Sequence, residues 1–173
     1  MNLVNLFNDA WRARSNYSHE ETEVMFKNLL SHGFVDMEKV LSKAIDNYDE
    51  NLFYMVQKLL ACLIMADGDH LQGEYDAYVK YCNWAGFRAL SASDLRELDR
   101  RTSMDELKGI VGLLRTVRDY IDEDNYVCFV KSLCYMSLFG DKQVDENEYY
   151  LIGALCDPNK DYVPNWEQFK REF

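Results

Sequence analysis

The stretch LFYMVQKLLACLIMA, residues 52–66, decides the fold of this chain. Its apolar side chains recur at the i, i+3, i+4, i+7 spacing that places them on one face of an α-helix. The last two turns, LLACLIMA, are apolar on every side, which is typical of a helix in the middle of a core. Because this apolar run is far shorter than the roughly 20 residues that span a bilayer, it predicts a buried helix and no membrane span.

A second stretch, YVCFVKSLCYMSLF at residues 126–139, has the same character and predicts a second buried helix. We expect these two helices to pack against each other as the central pair of the domain. Capping boxes of the form S-x-x-E at residues 18–21 and 103–106 mark the starts of further helices, and Gly86 marks an end. Other helices are predicted over residues 36–45, 75–85, 94–101, 103–120, 149–156 and 166–173.

The whole chain lacks the strict alternation of apolar and polar residues that indicates a strand. Its 173 residues are enough for one well-buried core. Hydrophobic residues make up 48% and aromatic residues 14%, which is a globular composition. The sequence therefore predicts a single all-α domain over residues 1–173, a compact bundle of about seven to eight helices.

Charge and cysteine usage narrow the class of protein. The formal net charge of −11 would repel nucleic-acid phosphates, so we expect no nucleic-acid partner and favour a cation, a basic protein face or a neutral partner. The N-terminus has no basic segment ahead of apolar residues, so no signal peptide is expected. The number of cysteines is odd and no C-x-x-C pair occurs. This pattern favours the interpretation that the cysteines are small core residues of a protein in a reducing, cytoplasmic compartment. These cysteines are Cys62, Cys82, Cys128, Cys134 and Cys156.

The sequence also repeats itself at an offset of 74 residues, counted from Leu59 to Leu133. Each copy, about 50–86 and about 124–157, contains a buried helix, an acidic loop and a second helix. Residues 158–173 form a C-terminal extension with a short helix. Two copies predict a pseudo-twofold arrangement, because stacked repeat arrays usually need three or more units. The offset aligns Asp67 with Asp141, Glu74 with Glu148, Tyr75 with Tyr149 and Cys82 with Cys156.

Two segments of the repeat resemble a known family. ADGDHLQGE, which begins at Ala66, resembles the A-D-G-x-x-x-x-x-E signature of the tellurite-resistance TerB family. The same signature occurs in the N-terminal region of membrane-anchored DnaJ-like proteins. GDKQVDENE, which begins at Gly140, resembles its second copy, although it has Gly-Asp where the signature has Asp-Gly. The resemblance covers about residues 50–156. It implies a compact helical bundle and a link to tellurite or chemical-stress resistance, and it implies no known catalytic reaction.

The acidic loops are the candidate metal site. The carboxylate of Asp67 is expected at the C-terminal end of a helix, where the helix dipole makes a negative charge unfavourable. A compensating partner for Asp67 is therefore expected. Calcium, magnesium or manganese would suit carboxylate ligands, although neither loop has the EF-hand pattern. His70 is a weaker candidate ligand. The alternative is that these residues are solvated loop acids. In that case the carboxylate of Glu74 is stabilised by the positive end of the following helix. The candidate ligands are Asp67, Asp69 and Glu74 in the first loop and Asp141, Asp145 and Glu148 in the second.

Common motifs for nucleotide binding, zinc proteases and hydrolases are absent from the sequence, so no catalytic residue is assigned. The leading hypothesis is a non-catalytic binding or adaptor module with a protein partner, and peripheral membrane association through that partner is compatible with it. The alternative is a metal-dependent enzyme that uses the shared acidic site. A contiguous patch of outer aromatic residues would mark the partner surface, unless they complete the core instead. The candidates are Trp11, Tyr17, Tyr78, Trp84, Tyr162 and Trp166.

Overall fold

The computed structural model describes residues 2–18, 20, 21, 23, 24, 27, 28, 52–65, 72–86, 88–119, 122–140, 143–156 and 165–173. Within these residues the chain forms eight α-helices with described bounds, residues 20, 21, 23, 24, 27 and 28 are also helical, and there is no strand, which confirms the all-α prediction. The helices are α1 (Leu3–Asn16), α2 (Leu52–Ile64), α3 (Gln72–Ala85), α4 (Ala92–Arg101), α5 (Met104–Val117), α6 (Glu123–Gly140), α7 (Glu146–Cys156) and α8 (Trp166–Glu172).

Local capping residues set several helix ends where the sequence predicts them. Ser18 and Glu21 form a reciprocal capping box, with bonds of 3.2 Å from Glu21 N to Ser18 Oγ and 2.8 Å from Ser18 N to the Glu21 carboxylate. Ser103 Oγ accepts from the backbone N–H of Glu106 at 3.1 Å and starts α5. Gly86 follows α3 with a φ of +82°, a left-handed conformation that glycine adopts without steric cost.

Two helices begin about one turn before the predicted position. Helix α3 begins at Gln72 instead of Tyr75, and α7 begins at Glu146 instead of Tyr149. Both added turns contain carboxylates, which the partial positive charge of a helix N-terminus stabilises. The polar sequence of these turns therefore belongs to the helices and not to the acidic loops.

The two predicted central helices are both buried, but the prediction that they pair with each other is wrong. Helix α6 makes its most extensive contacts with α3 and α1, whereas α2 packs most extensively against α4. Across the α3–α6 contact, the hydroxyl groups of Tyr81 and Ser132 lie 3.0 Å apart in a hydrogen bond. Helix α6 is therefore packed against both α1 and α3.

The chain ends meet in an aromatic cluster that closes one side of the bundle. Phe7 of α1 packs edge-on against Phe169 of α8, with ring centroids 5.4 Å apart. Phe169 also lies 4.6 Å from the ring of Tyr149 in α7. Lys131 of α6 adds an ion pair of 3.1 Å with Asp9 of α1. These contacts hold α1 against the rest of the bundle.

The candidate aromatic surface is divided by the fold. Tyr78 is fully buried, which corrects its prediction as an outer residue. Trp84 donates its indole N–H to Glu23 at 3.2 Å, and Trp166 packs on Tyr149 with centroids 5.4 Å apart. Trp11 and Tyr17 are exposed, and Tyr162 lies outside the described residues. Most of the described set therefore contributes to packing.

The repeat has a local counterpart in the helices. Helices α3 and α7 begin at equivalent positions of the 74-residue offset. Burial also follows this offset, because Leu59 and Leu133, and likewise Glu74 and Glu148, are buried in both copies. The pseudo-twofold arrangement in space stays a prediction. None of the described helices is long and apolar enough to cross a membrane.

Candidate functional site

The predicted acidic site is described only in part. Asp67, Asp69 and Asp141 lie outside the described residues, as does His70. The other three carboxylates, Glu74, Asp145 and Glu148, belong to the N-terminal ends of α3 and α7. Among the described residues, no group of three or more His, Cys, Asp or Glu side chains is placed to hold a metal ion. The convergence of the two loops stays a prediction.

The side chains of Asp145 and Glu148 have a structural role at the start of α7. The Asp145 side chain accepts from the backbone N–H of Glu148 at 2.8 Å, and the Glu148 side chain accepts from the backbone N–H of Asp145 at 3.1 Å. This is a capping box in which Asp replaces the usual Ser or Thr. The D-x-x-E spacing in the sequence is the signal that could have identified it.

Glu74 lies at the third position of α3, which is equivalent to the position of Glu148 in α7. Both side chains are buried, at 9% and 6% exposure. A carboxylate in the first turn of a helix is stabilised by the helix dipole. The interpretation of Glu74 as a helix-end residue is therefore compatible with its position, whether or not the preceding loop binds a cation.

A different feature, a groove between α5 and α7, offers a better defined binding site. It has a volume of about 870 Å³, and its described lining is mostly apolar. One wall is the face of α5 that begins at Met104 and extends past the helix end to Asp119, a distance of about 22 Å at 1.5 Å per residue. The opposite wall is the face of α7 that carries Tyr150, Leu151 and Ala154. We refer to this feature as the α5–α7 groove.

The rim of the groove exposes large apolar side chains. Met104 is 65% exposed and Tyr150 is 37% exposed. Leu107 and Val111 continue the apolar wall along α5. An apolar surface of this kind with polar residues around it marks a binding site more often than a random stretch of surface does.

Two cations in the groove lack ion-pair partners within the described part of the chain. Arg115 lines the groove, and its Nη2 atom is buried without a hydrogen-bond acceptor. Lys108 lies two helical turns earlier on the same wall. By contrast, most other basic side chains in the described segments form ion pairs, as is expected in a protein with an excess of carboxylates. The paired residues include Lys58, Arg100, Arg101, Arg118, Lys131 and Lys170.

Cys62 of α2 reaches the groove and is a poor nucleophile. Burial, followed by the negative charges of Asp99 and Glu106, raises the pKa of its thiol to about 12. The reactive form of cysteine is the thiolate, so Cys62 is protonated at neutral pH. The groove therefore has the chemistry of a binding surface, with apolar walls and two cationic side chains.

Comparison of the chain with protein-family models, with curated proteins and with solved structures found no match. The resemblance to the TerB signature stays an expectation that rests on the two loop segments alone. The groove could not be found from the sequence, because its two walls are 28 or more residues apart and only the packing of α5 against α7 brings them together. Helix α5 has an unusual pair of glycines, at positions 109 and 112, of which only Gly112 lines the groove.

Proposed function

We propose that this protein is a non-catalytic binding module that recruits a protein partner through the α5–α7 groove. The observation that carries the proposal is the groove itself, whose lining is mostly apolar and whose rim exposes the large side chains of Met104 and Tyr150. A helix-length groove with apolar walls is the kind of surface that binds an amphipathic segment of another protein. The thiol of Cys62 is protonated at neutral pH and therefore does not supply a nucleophile for a catalytic reaction in the groove.

The resemblance to the TerB family supports a cellular context for this activity. It suggests that recruitment serves resistance to tellurite or to a related chemical stress, in the cytoplasm. The net charge of −11 supports a protein partner over nucleic acid. In a cell in which the protein confers tellurite resistance, a variant with a filled groove should lose resistance while its abundance stays unchanged.

Site-specific photo-crosslinking tests the proposal. A photoreactive amino acid at Met104, on the groove rim, should form a discrete adduct with a partner in cells. The same amino acid at Val24, which is 60% exposed and outside the groove lining, serves as the control position. Gly112→Leu fills the groove and should abolish the Met104 adduct, whereas Gly109→Leu on the same helix should not.

Three outcomes would contradict this function. Equal adduct patterns from residues 104 and 24 would show that the groove has no special role. An adduct that persists in the Gly112→Leu variant, with Gly112→Leu still folded by circular dichroism, would place the partner elsewhere. Turnover of a small molecule by the purified protein would favour the alternative of an enzyme.

A further inference from the structure

The charges of the α5–α7 groove follow an order that limits what it can bind. Asp99 lies near the N-terminal end of α5, Lys108 lies in its first half, Arg115 lies in its last turn, and Asp119 follows its C-terminal end. Lys108 and Arg115 are seven residues apart, which is two turns or about 10.5 Å along the helix. The groove thus has two positive side chains between two negative ends.

The guanidinium of Arg115 points to an anionic ligand. Its Nη2 atom has no access to water and no hydrogen-bond acceptor in the described residues. A cationic group that is partly removed from water without an acceptor is unfavourable. A carboxylate in the groove could pair with the accessible part of the same guanidinium and partly offset this cost, because hydrogen bonds between guanidinium and carboxylate groups are among the strongest in proteins.

Gly112 supplies an independent observation about the shape of the ligand. It lies on the groove face of α5 between Lys108 and Arg115, where glycine weakens a helix relative to alanine. A Cβ atom added at Gly112 would meet nothing within 4 Å, so packing inside the protein does not require a glycine there. A glycine on an open helix face allows the backbone of a ligand to approach closely.

From these observations we infer that the groove binds an amphipathic helix whose centre carries two carboxylates about two turns apart, with the helix crossing α5 at Gly112. This inference rests on the proposed function and adds the chemistry of the partner. The apolar face of the helix packs on Leu107, Val111 and Leu151, and its acidic side chains pair with Lys108 and Arg115. Basic side chains at its ends face Asp99 and Asp119.

A displayed library of amphipathic 15-residue helices tests the charge pattern. The apolar positions are fixed as leucine, and the polar positions vary among Glu, Gln and Lys. Selection on the full chain should enrich two Glu residues that are seven positions apart. The purified acidic peptide should bind at least about tenfold more tightly than its Glu→Gln counterpart, because a hydrogen bond to a charged group contributes about that factor. The variant Lys108→Gln with Arg115→Gln should lose this preference.

A comparison of the Gly112→Ala and Gly109→Ala variants tests whether the backbone of the ligand approaches α5 closely at Gly112. Both glycines are exposed on α5 with free space at the Cβ position, but only Gly112 lines the groove. Both variants should melt at or above the wild-type temperature, because alanine favours the helix. Only Gly112→Ala should weaken binding of the selected acidic peptide, by about tenfold or more. A merely structural role for Gly112 would leave peptide affinity unchanged.

Each other outcome is decisive. Enrichment of helices without a charge preference would overturn the acidic partner and leave the groove as a docking site, so the proposed function would survive. No enrichment, or preferential binding to vesicles of phosphatidylserine and phosphatidylcholine, would overturn a helical occupant. Equal affinities of the Gly112→Ala and Gly109→Ala variants would overturn the close approach.

Discussion

At the scale of single residues, the buried hydroxyl group of Tyr78 forms hydrogen bonds that connect separate segments of the chain. The Tyr78 hydroxyl donates to Gln57 Oε1 at 2.5 Å and accepts from the backbone N–H of Leu90 at 2.9 Å. Gln57 donates its side-chain N–H to the backbone oxygen of Arg88 at 3.1 Å. Because these groups are buried or partly buried, each needs its partner to offset the loss of water. The network therefore fixes the segment before α4 against α2 and α3.

Replacing Tyr78 by Phe should destabilise the protein by about 1–3 kcal/mol, since it leaves the buried partners of the hydroxyl group unsatisfied. The free energy of unfolding in urea measures this loss. Tyr54→Phe is the matched control, because Tyr54 is 54% exposed and should change stability by less than about 0.5 kcal/mol. Equal effects at Tyr78 and Tyr54 would show that the network contributes nothing to stability.

The thiol of Cys62 predicts a specific dependence of stability on alkaline pH. Its pKa is raised by burial from 9.0 to about 12 in the folded protein. Below pH 9 the thiol is protonated in both states, so its contribution to stability is fully present. Between pH 9 and about 12 the thiol ionises in the unfolded chain first, and stability falls as the pH rises. The urea midpoint of wild type should therefore fall more steeply over this range than that of Cys62→Ala, and equal slopes would contradict the buried thiol.

At the scale of helices, the sequence predicts what local chemistry controls and misses what packing creates. The apolar periodicity of α2 and α6 and the Ser103 cap are local, so their positions are predicted well. The D-x-x-E cap of α7 is equally local, but the aspartate resembles a metal ligand and conceals the capping role. The α5–α7 groove and the aromatic contacts of α1 with α8 depend on residues far apart in sequence, so no local pattern reveals them.

Asp145 allows the capping role and the metal role to be separated. Asp145→Ala should destabilise the protein by about 0.5–2 kcal/mol through loss of the α7 cap. Asp145→Asn keeps an acceptor for the Glu148 N–H and should change stability by only a few tenths of a kcal/mol. Both effects should be the same in chelator and in millimolar magnesium. A loss that appears only in magnesium, and in both variants, would identify Asp145 as a ligand instead of a cap.

At the scale of the whole molecule, a net charge of −11 makes the folded state sensitive to cations in two different ways. General screening by salt reduces the repulsion among surface carboxylates. A specific site adds a further term, RT ln(1 + [L]/Kd), of about 2.7 kcal/mol at a hundredfold excess of cation over Kd. The predicted convergence of the two acidic loops belongs to the second case, and a comparison of variants distinguishes it from the first.

If the loops form one cation site, wild type should melt later in millimolar calcium, magnesium or manganese than in chelator at matched ionic strength. The double variant Asp67→Asn with Asp141→Asn should abolish this difference, because it removes one carboxylate from each loop at equivalent positions of the repeat. The control is Glu20→Gln with Asp105→Asn, two exposed residues outside the loops, which changes the net charge equally. The control should keep the cation response, since screening depends on total charge and a site depends on position. Equal responses of wild type, loop variant and control would show that the loops are solvated turns and that screening alone is at work.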